Sequence, residues 1–404
     1  NFLGFAVVVA VVVGVTEDYK SCNLLEMGGV GDGETDNTQL LRKSFLTCDE
    51  VIIPHGGTYL THPLNITRDN FALILEGTLL FFNMSNLTNW PVMPHLPSYP
   101  CDRDICACCR YQPPLLVYQT NNVTIKGQGE LNGNGADWWT ARNNGTLQYG
   151  RPRLLETMQA SKVKILNVKL VDSPFWTCHL WSSQGIYVEG VKVYAPKHSP
   201  NTDGFNPDSS KYVHIKNCEV HNGDDCVSVK SGMNSEGIAY NVSSAHIFVE
   251  NLKCSGGHGM SIGSEMSGGV EDVIISNSQL HHELRIKTNP ARGGYIRDIT
   301  YINLDILQEP NYDGGVILIQ TNYSNSDPPA PTPPIIDNIR YEGINGKGES
   351  AGKFECDETI PCTNIIAVDI HMESEQGWTG TCDNKYVQTA YETNVYPPWC
   401  PDTQ

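Results

Sequence analysis

From Val123 onward, apolar and polar residues alternate over short runs, and each run breaks at an asparagine or glycine bend before another begins. The runs open at Val123, Val163, Ile186, Val213, Ile247, Val273, Ile299, Ile339 and Ile365, mostly 23 to 34 residues apart and 40 where extra chain intervenes. Period-two alternation marks a strand with one buried face, and β-branched residues, which suit a pleated surface, dominate the inward positions. Asn and Gly tolerate the left-handed angles that a sharp bend needs. Repeats of this size bury their apolar faces by stacking on one another. The pattern therefore predicts an all-β right-handed parallel β-helix. A β-propeller would need four strands and blade-specific aromatics per repeat, and neither is visible.

Ahead of the repeats, Gly31-Asp-Gly-Glu-Thr-Asp-Asn-Thr-Gln39 reads as a turn and helix N-cap, and Leu40 to Thr47 as a short amphipathic helix. Such a helix would cap the open N-terminal end of the solenoid. The stretch from Met84 to Pro114, rich in Pro and Cys, reads as an inserted, disulfide-tied loop, and Asp327-Pro-Pro-Ala-Pro-Thr-Pro-Pro334 as a second loop that continues no strand. Residues 1–15 are almost wholly apolar and end in small residues, as the remnant of a secretory signal would. That leaves 16–404 as a single catalytic domain. Fourteen cysteines suit an oxidising compartment. Cys106, Cys108 and Cys109 lack the second pair that a zinc site would need. Seven glycosylation sequons, at Asn65, Asn83, Asn86, Asn122, Asn144, Asn241 and Asn322, agree with secretion. The expected location is extracellular, with no membrane partner after signal removal and a monomeric chain.

The 27 basic and 45 acidic residues give a formal charge of −18, which argues against nucleic acid as partner. It also counts against a polyanionic sugar, but salt screens exposed charges over about 10 Å at 0.1 M. The placement of the basic residues therefore decides the matter.

Four short motifs fall on successive predicted coils: Asn201-Thr-Asp-Gly204, Gly223-Asp-Asp-Cys226, Gly257-His-Gly259 and Arg285-Ile-Lys-Thr288. Each alone is a commonplace turn or strand. At coil spacing they would stack into one cleft carrying the carboxyls of Asp203, Asp224 and Asp225. Hydrolysis of a glycosidic bond needs one carboxylic acid to protonate the departing oxygen and a carboxylate to activate water. Clustered like charges keep one member protonated while its neighbours ionise. His258 could tune the acid, and Arg285 with Lys287, one residue apart on a strand, share a face that could hold a sugar carboxylate.

With these four motifs intact and in this order, the chain from about Gly28 to the last coils resembles the polygalacturonases, glycoside hydrolase family 28. The resemblance implies a right-handed β-helix that cleaves polygalacturonate with inversion, without a cofactor or metal. Asp224 would be the general acid, Asp203 and Asp225 the water-activating carboxylates, and His258 the acid's assistant. Asn201, Arg285 and Lys287 would bind substrate. Gly127-Gln-Gly-Glu-Leu-Asn-Gly-Asn-Gly135 with Trp138 and Trp139, Asp172-Ser-Pro-Phe-Trp176, and Gly263-Ser-Glu-Met-Ser-Gly-Gly269 resemble a branch with many plant and bacterial members, some acting from chain ends. By the same resemblance Cys226 pairs with Cys254. Cys356 with Cys362 and Cys382 with Cys400 are expected local pairs, the remaining cysteines being unassigned. Two other readings are a calcium-dependent pectate lyase, with the acids as ligands, and a pectin-binding β-helix without turnover.

Overall fold

The computed structural model describes residues 19–84, 87, 90–101, 108–308, 315–324, 327–379 and 385–399. The apolar run at 1–15 and the expected Cys382–Cys400 pair lie outside them. Among the described residues the chain winds into stacked coils whose strands pair in parallel with their equivalents above and below, forming one sheet of 21 strands and another of 11. The run-opening residues of the sequence are themselves in register: Val123 pairs with Val163, Ile186 with Val213, and Val213 with Ile247. Val273, Ile299, Ile339 and Ile365 continue the column. All of them are buried in one continuous core, which is what an inward column of β-branched residues achieves when each coil covers the next.

The breaks are left-handed bends. Asn167, Asn217, Asn251, Asn277 and Asn303 have φ between 50° and 59°, and Gly190 and Gly343 take the same corner at 65° and 61°. Asn251 Nδ2 donates to Asn217 Oδ1 at 3.0 Å and Asn303 Nδ2 to Asn277 Oδ1 at 3.3 Å. The side-chain amide thus gives the bend both its backbone tolerance and a bond to the neighbouring coil.

The expected helix spans Thr38–Thr47 and packs Leu41 and Phe45 into the end of the core. The cap position is Asn37, which makes no side-chain cap bond, and Asp36 just before it accepts from the Thr38 amide through Oδ1 at 2.8 Å. The Met84–Pro114 insertion contains an antiparallel hairpin, Val92–Pro94 with Cys109–Tyr111, and a Cys101–Cys108 disulfide. The Pro-rich loop carries no strand before Ile335.

The 11-stranded sheet positions the site. Along its strands side chains alternate in and out. The outward column runs through Glu156, His179 and Asn206 and, beyond the Phe205–Val227 pairing, through Ser228, Ser261 and Arg285. All six are buried although polar. The cost of burying them sets a requirement that each find a partner.

Candidate active site

The four motifs lie on consecutive strands of this sheet or on the bends leading into them. Asp203 precedes the strand Phe205–Asp208, Asp224 and Asp225 precede Val227–Val229, His258 precedes Met260–Gly263, and Arg285 and Lys287 sit in Leu284–Lys287. Gly204 N donates to Asp225 O at 2.9 Å, and Cys226 N to Gly259 O at 2.7 Å, so the three bends stack directly. Glycine is obligatory in the Gly-His-Gly bend. At Gly257, φ is +62° and a Cβ would fall 1.8 Å from the carbonyl oxygen of Asp224; at Gly259 it would fall 2.1 Å from that of Glu283. The close approach brings His258 Nδ1 to 3.3 Å from Asp224 Oδ1. The Cys226–Cys254 disulfide, S–S 2.03 Å, ties the same two coils. Cys356–Cys362 is present as expected, and Cys22–Cys48 adds a fourth bond among the described residues with Cys101–Cys108.

The three carboxyls differ in their surroundings. Asp225 is buried and accepts from Ser261 Oγ at 2.8 Å, Lys287 Nζ at 2.6 Å and Arg285 at 3.3 Å. Burial opposes its ionisation, but Lys287, Arg285 and Lys230 outweigh that and hold its carboxyl below the usual range. Asp203 is also buried, with Asn206 Nδ2 at 2.8 Å and Lys230 Nζ at 3.7 Å. Burial, reinforced by Asp224, pushes its carboxyl up to about 7 despite the lysine. Asp224 is partly open to the cleft and is held by its contact with His258, by the Asp225 amide and, at 3.4 Å, by Asn201 Nδ2. The bond to Asp224 raises the proton affinity of His258, whose side chain is 45% exposed. One carboxyl held protonated beside one held ionised is what acid–base cleavage requires.

Sequence reasoning missed Lys230, whose ammonium lies 2.7 Å from Glu265, 3.7 Å from Asp203 and 4.5 Å from the Trp176 ring centroid. Alternation after the Asp pair could have found it, because Ser228 and Lys230 both face outward. It also missed Arg151, which donates to Asn201 Oδ1 at 2.6 Å and thereby orients the residue that reaches Asp224. Trp176 lines the cleft, whereas Trp138 is buried against Trp90 and Tyr111.

These groups line a cleft of about 860 Å³. Its walls carry six basic residues (Arg110, Arg142, Arg151, Arg153, Lys230, Lys287) and five acidic ones (Asp203, Asp224, Asp225, Glu265, Asp327), a formal balance of +1 in a chain of −18. The charge objection to an anionic sugar thus dissolves locally. Asp224, Asp225 and His258 place donor atoms within 4.8 Å of one another. Calcium takes six to eight oxygens, however, and the Asp225 oxygens are already bonded to Ser261, Arg285 and Lys287. The donor set does not fit that ion.

Comparison with known proteins agrees with the geometry. A Vitis vinifera protein named "Probable polygalacturonase" is 34% identical over 388 residues, covering 89% of this chain and 77% of its own. A polygalacturonase of Solanum lycopersicum is 28% identical over 92% of this chain and 79% of its own. Among solved structures, the polygalacturonase of Erwinia carotovora superposes with a TM-score of 0.74 at 20% identity, covering 93% of this chain and 98% of its own. The exopolygalacturonase of Thermotoga maritima gives 0.69 at 24%, covering 93% of each. Both carry the right-handed β-helix. The profile described as glycosyl hydrolases family 28 matches residues 110–391, spanning the stacked carboxylates and the Arg-x-Lys strand beside them, and on that match the chain belongs to family 28 of the glycosyl hydrolases.

Proposed function

We propose that this protein is a secreted, monomeric polygalacturonase whose single domain hydrolyses the α-1,4-galacturonosidic bonds of pectin with inversion. The observation that carries the reading is the division of labour among the carboxyls, Asp225 held ionised by Lys287 and Arg285 and Asp203 held protonated by burial. In the empty cleft a proton sits on Asp203. When a sugar chain lies over the cleft, that proton passes to Asp224. Asp224 then protonates the departing glycosidic oxygen as the C–O bond breaks. Water attacks the anomeric carbon from the opposite face and gives its proton to the Asp203 and Asp225 carboxylates. Asp225 is held ionised by its cations, so the water's proton comes to rest on Asp203, with Asp224 again ionised, which is the state in which the cycle began. His258 supports Asp224, and Arg285 and Lys287 present donors to a galacturonate carboxylate as well as to Asp225.

Exo action is the finer part of the proposal. The inserted loop is pinned over one side of the cleft by Trp181 Nε1 donating to Ser98 Oγ at 3.0 Å and by Tyr99 donating to Asp208 Oδ2 at 2.5 Å. His95, Tyr99 and Cys101 line the same cavity, so a chain end fits there better than a through-running polymer. Secretion is supported by four disulfides among the described residues and by exposed sequon asparagines such as Asn65, Asn122 and Asn241. No helix of the described residues is long and apolar enough to cross a membrane.

The test is incubation with polygalacturonate, with and without a chelator, for wild type and Asp224→Asn. Chelator-resistant release of reducing ends, reduced by on the order of 10²-fold or more in the variant, is expected, with monomer as the first product. Products carrying an unsaturated sugar would mean a lyase, and binding without turnover a sugar-binding protein; either sinks the proposal. Mixed oligomers from the outset would replace exo with endo action.

A further inference from the structure

Beside the carboxylates, the Arg151-Pro-Arg153 segment repeats the one-residue spacing of Arg285 and Lys287, so in extended chain both guanidiniums take the same side. It leads into the strand Leu155–Met158, two strands before the one that follows Asp203. Arg285 and Lys287 lie two strands after the one that follows the Asp pair. The two basic pairs therefore flank the acids from opposite ends of the cleft. Arg151 and Arg153 are each only 7% exposed, and both line the cavity.

Carboxylates act on these two arginines only without a hydrogen bond, Asp203 and Asp224 on Arg151, and Glu156 and Asp208 on Arg153. Arg151 donates to Pro174 O at 3.0 Å, Pro200 O at 2.8 Å and Asn201 Oδ1 at 2.6 Å, three neutral acceptors. Arg153 comes no closer than 3.9 Å to Glu156 Oε1, an interaction too long for a hydrogen bond. Glu156 is already taken by Arg110 at 2.6 Å and His179 at 2.7 Å. Arg153 Nε is buried without a hydrogen-bond partner. Among the described residues, no carboxylate is hydrogen-bonded to either guanidinium. Burial and the neighbouring arginines accordingly push Arg151 down to about 9, and burial with Arg110 pushes Arg153 down to about 10. The Phe175 ring lies under both, at 4.6 and 5.3 Å, and Trp176 lies 5.0 Å from Arg153. Stacking on a ring fixes the guanidinium plane and keeps its donors at the edge, where those not already bonded within the protein can meet an oxygen ligand.

A buried cation without a hydrogen-bonded counter-ion is costly, and an incoming anion offsets that cost. We infer that Arg151 and Arg153, with Arg142 at the rim, form a second carboxylate-receiving subsite, which reads a free uronate on the sugar lying away from Arg285 and Lys287. The inference rests on the polygalacturonate reading and sharpens it. The enzyme discriminates against methyl esters at this position, because an ester carries no charge and leaves the guanidiniums uncompensated.

The experiment measures kcat/KM on polygalacturonate and on the same polymer partly methyl-esterified, for wild type, Arg153→Gln and Arg142→Gln. Wild type should prefer the free acid. Arg153→Gln should cut that preference about tenfold, the scale of one charged hydrogen bond. Arg142→Gln, at an exposed residue whose replacement does not threaten folding, should cut it by a smaller factor. A merely structural role would lower both substrates alike and leave the ratio unmoved. An active wild type whose ratio survives both substitutions overturns the subsite alone. A wild type that hydrolyses neither polymer overturns the functional proposal and the subsite with it.

Discussion

The ammonium of Lys287 lies 2.6 Å from Oδ2 of Asp225, so a cation that sequence reasoning assigned to the substrate also holds ionised the carboxylate proposed to activate water. Lys287→Met should therefore do more than weaken binding. Without the ammonium Asp225 accepts a proton more readily, and the acid limb of the pH–rate profile moves to higher pH. At the optimum kcat should fall by roughly 10²-fold. A rise in KM alone, with the acid limb unmoved, would show that Lys287 serves only the substrate.

His258 touches Asp224 from a neighbouring coil and keeps its side chain 45% exposed. Its replacement by Ala should leave thermal stability nearly unchanged and lower kcat, by less than the roughly hundredfold or greater loss expected when the acid itself is removed. His258→Gln, which can still bond Asp224, should recover part of the rate. Steady-state kinetics with melting curves on both variants decides this, and equal rates for wild type and His258→Ala would remove the histidine from the mechanism.

The raised Asp203 carboxyl has two pH consequences. The proton it shares with the site leaves as pH climbs through about 7, so kcat/KM should decline above neutrality. Stability follows the same group. Its folded affinity for the proton exceeds the unfolded one, so the contribution is complete below about pH 4 and is lost as pH rises toward 7. Thermal unfolding of wild type and Asp203→Asn across this range should show the decline in the first and its reduction in the second. Parallel curves would place the proton elsewhere.

Glu156 is buried between Arg110, at 2.6 Å, and His179, at 2.7 Å, and His179 reaches on to Asp208 at 3.0 Å. Burial opposes its charge, yet Arg110 and His179 bring its carboxyl down to about 2. Its stabilisation is thus present above about pH 4.5 and lost as pH falls toward 2. Glu156→Ala leaves Arg110 buried and unpaired and should cost about 3–5 kcal/mol, with Glu156→Gln costing less. Urea unfolding at neutral pH measures both. A loss within 0.5 kcal/mol, the scale of ordinary surface substitutions, would show that the network contributes little.

Much of this molecule was legible in its sequence, because a solenoid makes local pattern and global register the same thing. The run openings from Val123 to Ile365 name the inward column directly, since each coil pairs with the next at equivalent positions. Asn217, Asn251 and Asn277 mark their corners through a backbone preference that belongs to the residue itself. The carboxylates were readable for the same reason: motifs at coil spacing must stack. What the tertiary structure decided is how charge is distributed once water is excluded. Asp203 and Asp225 are the same residue type in similar motifs, and only burial without a tight cation, against burial beside Lys287 and Arg285, separates their protonation. Arg151 and Arg153 show the same spacing as Arg285 and Lys287. Their lack of a hydrogen-bonded carboxylate, however, is a property of the folded wall, where Glu156 is already taken by Arg110 and His179. Periodicity is written along the chain, whereas desolvation and pairing exist only after the coils close on one another.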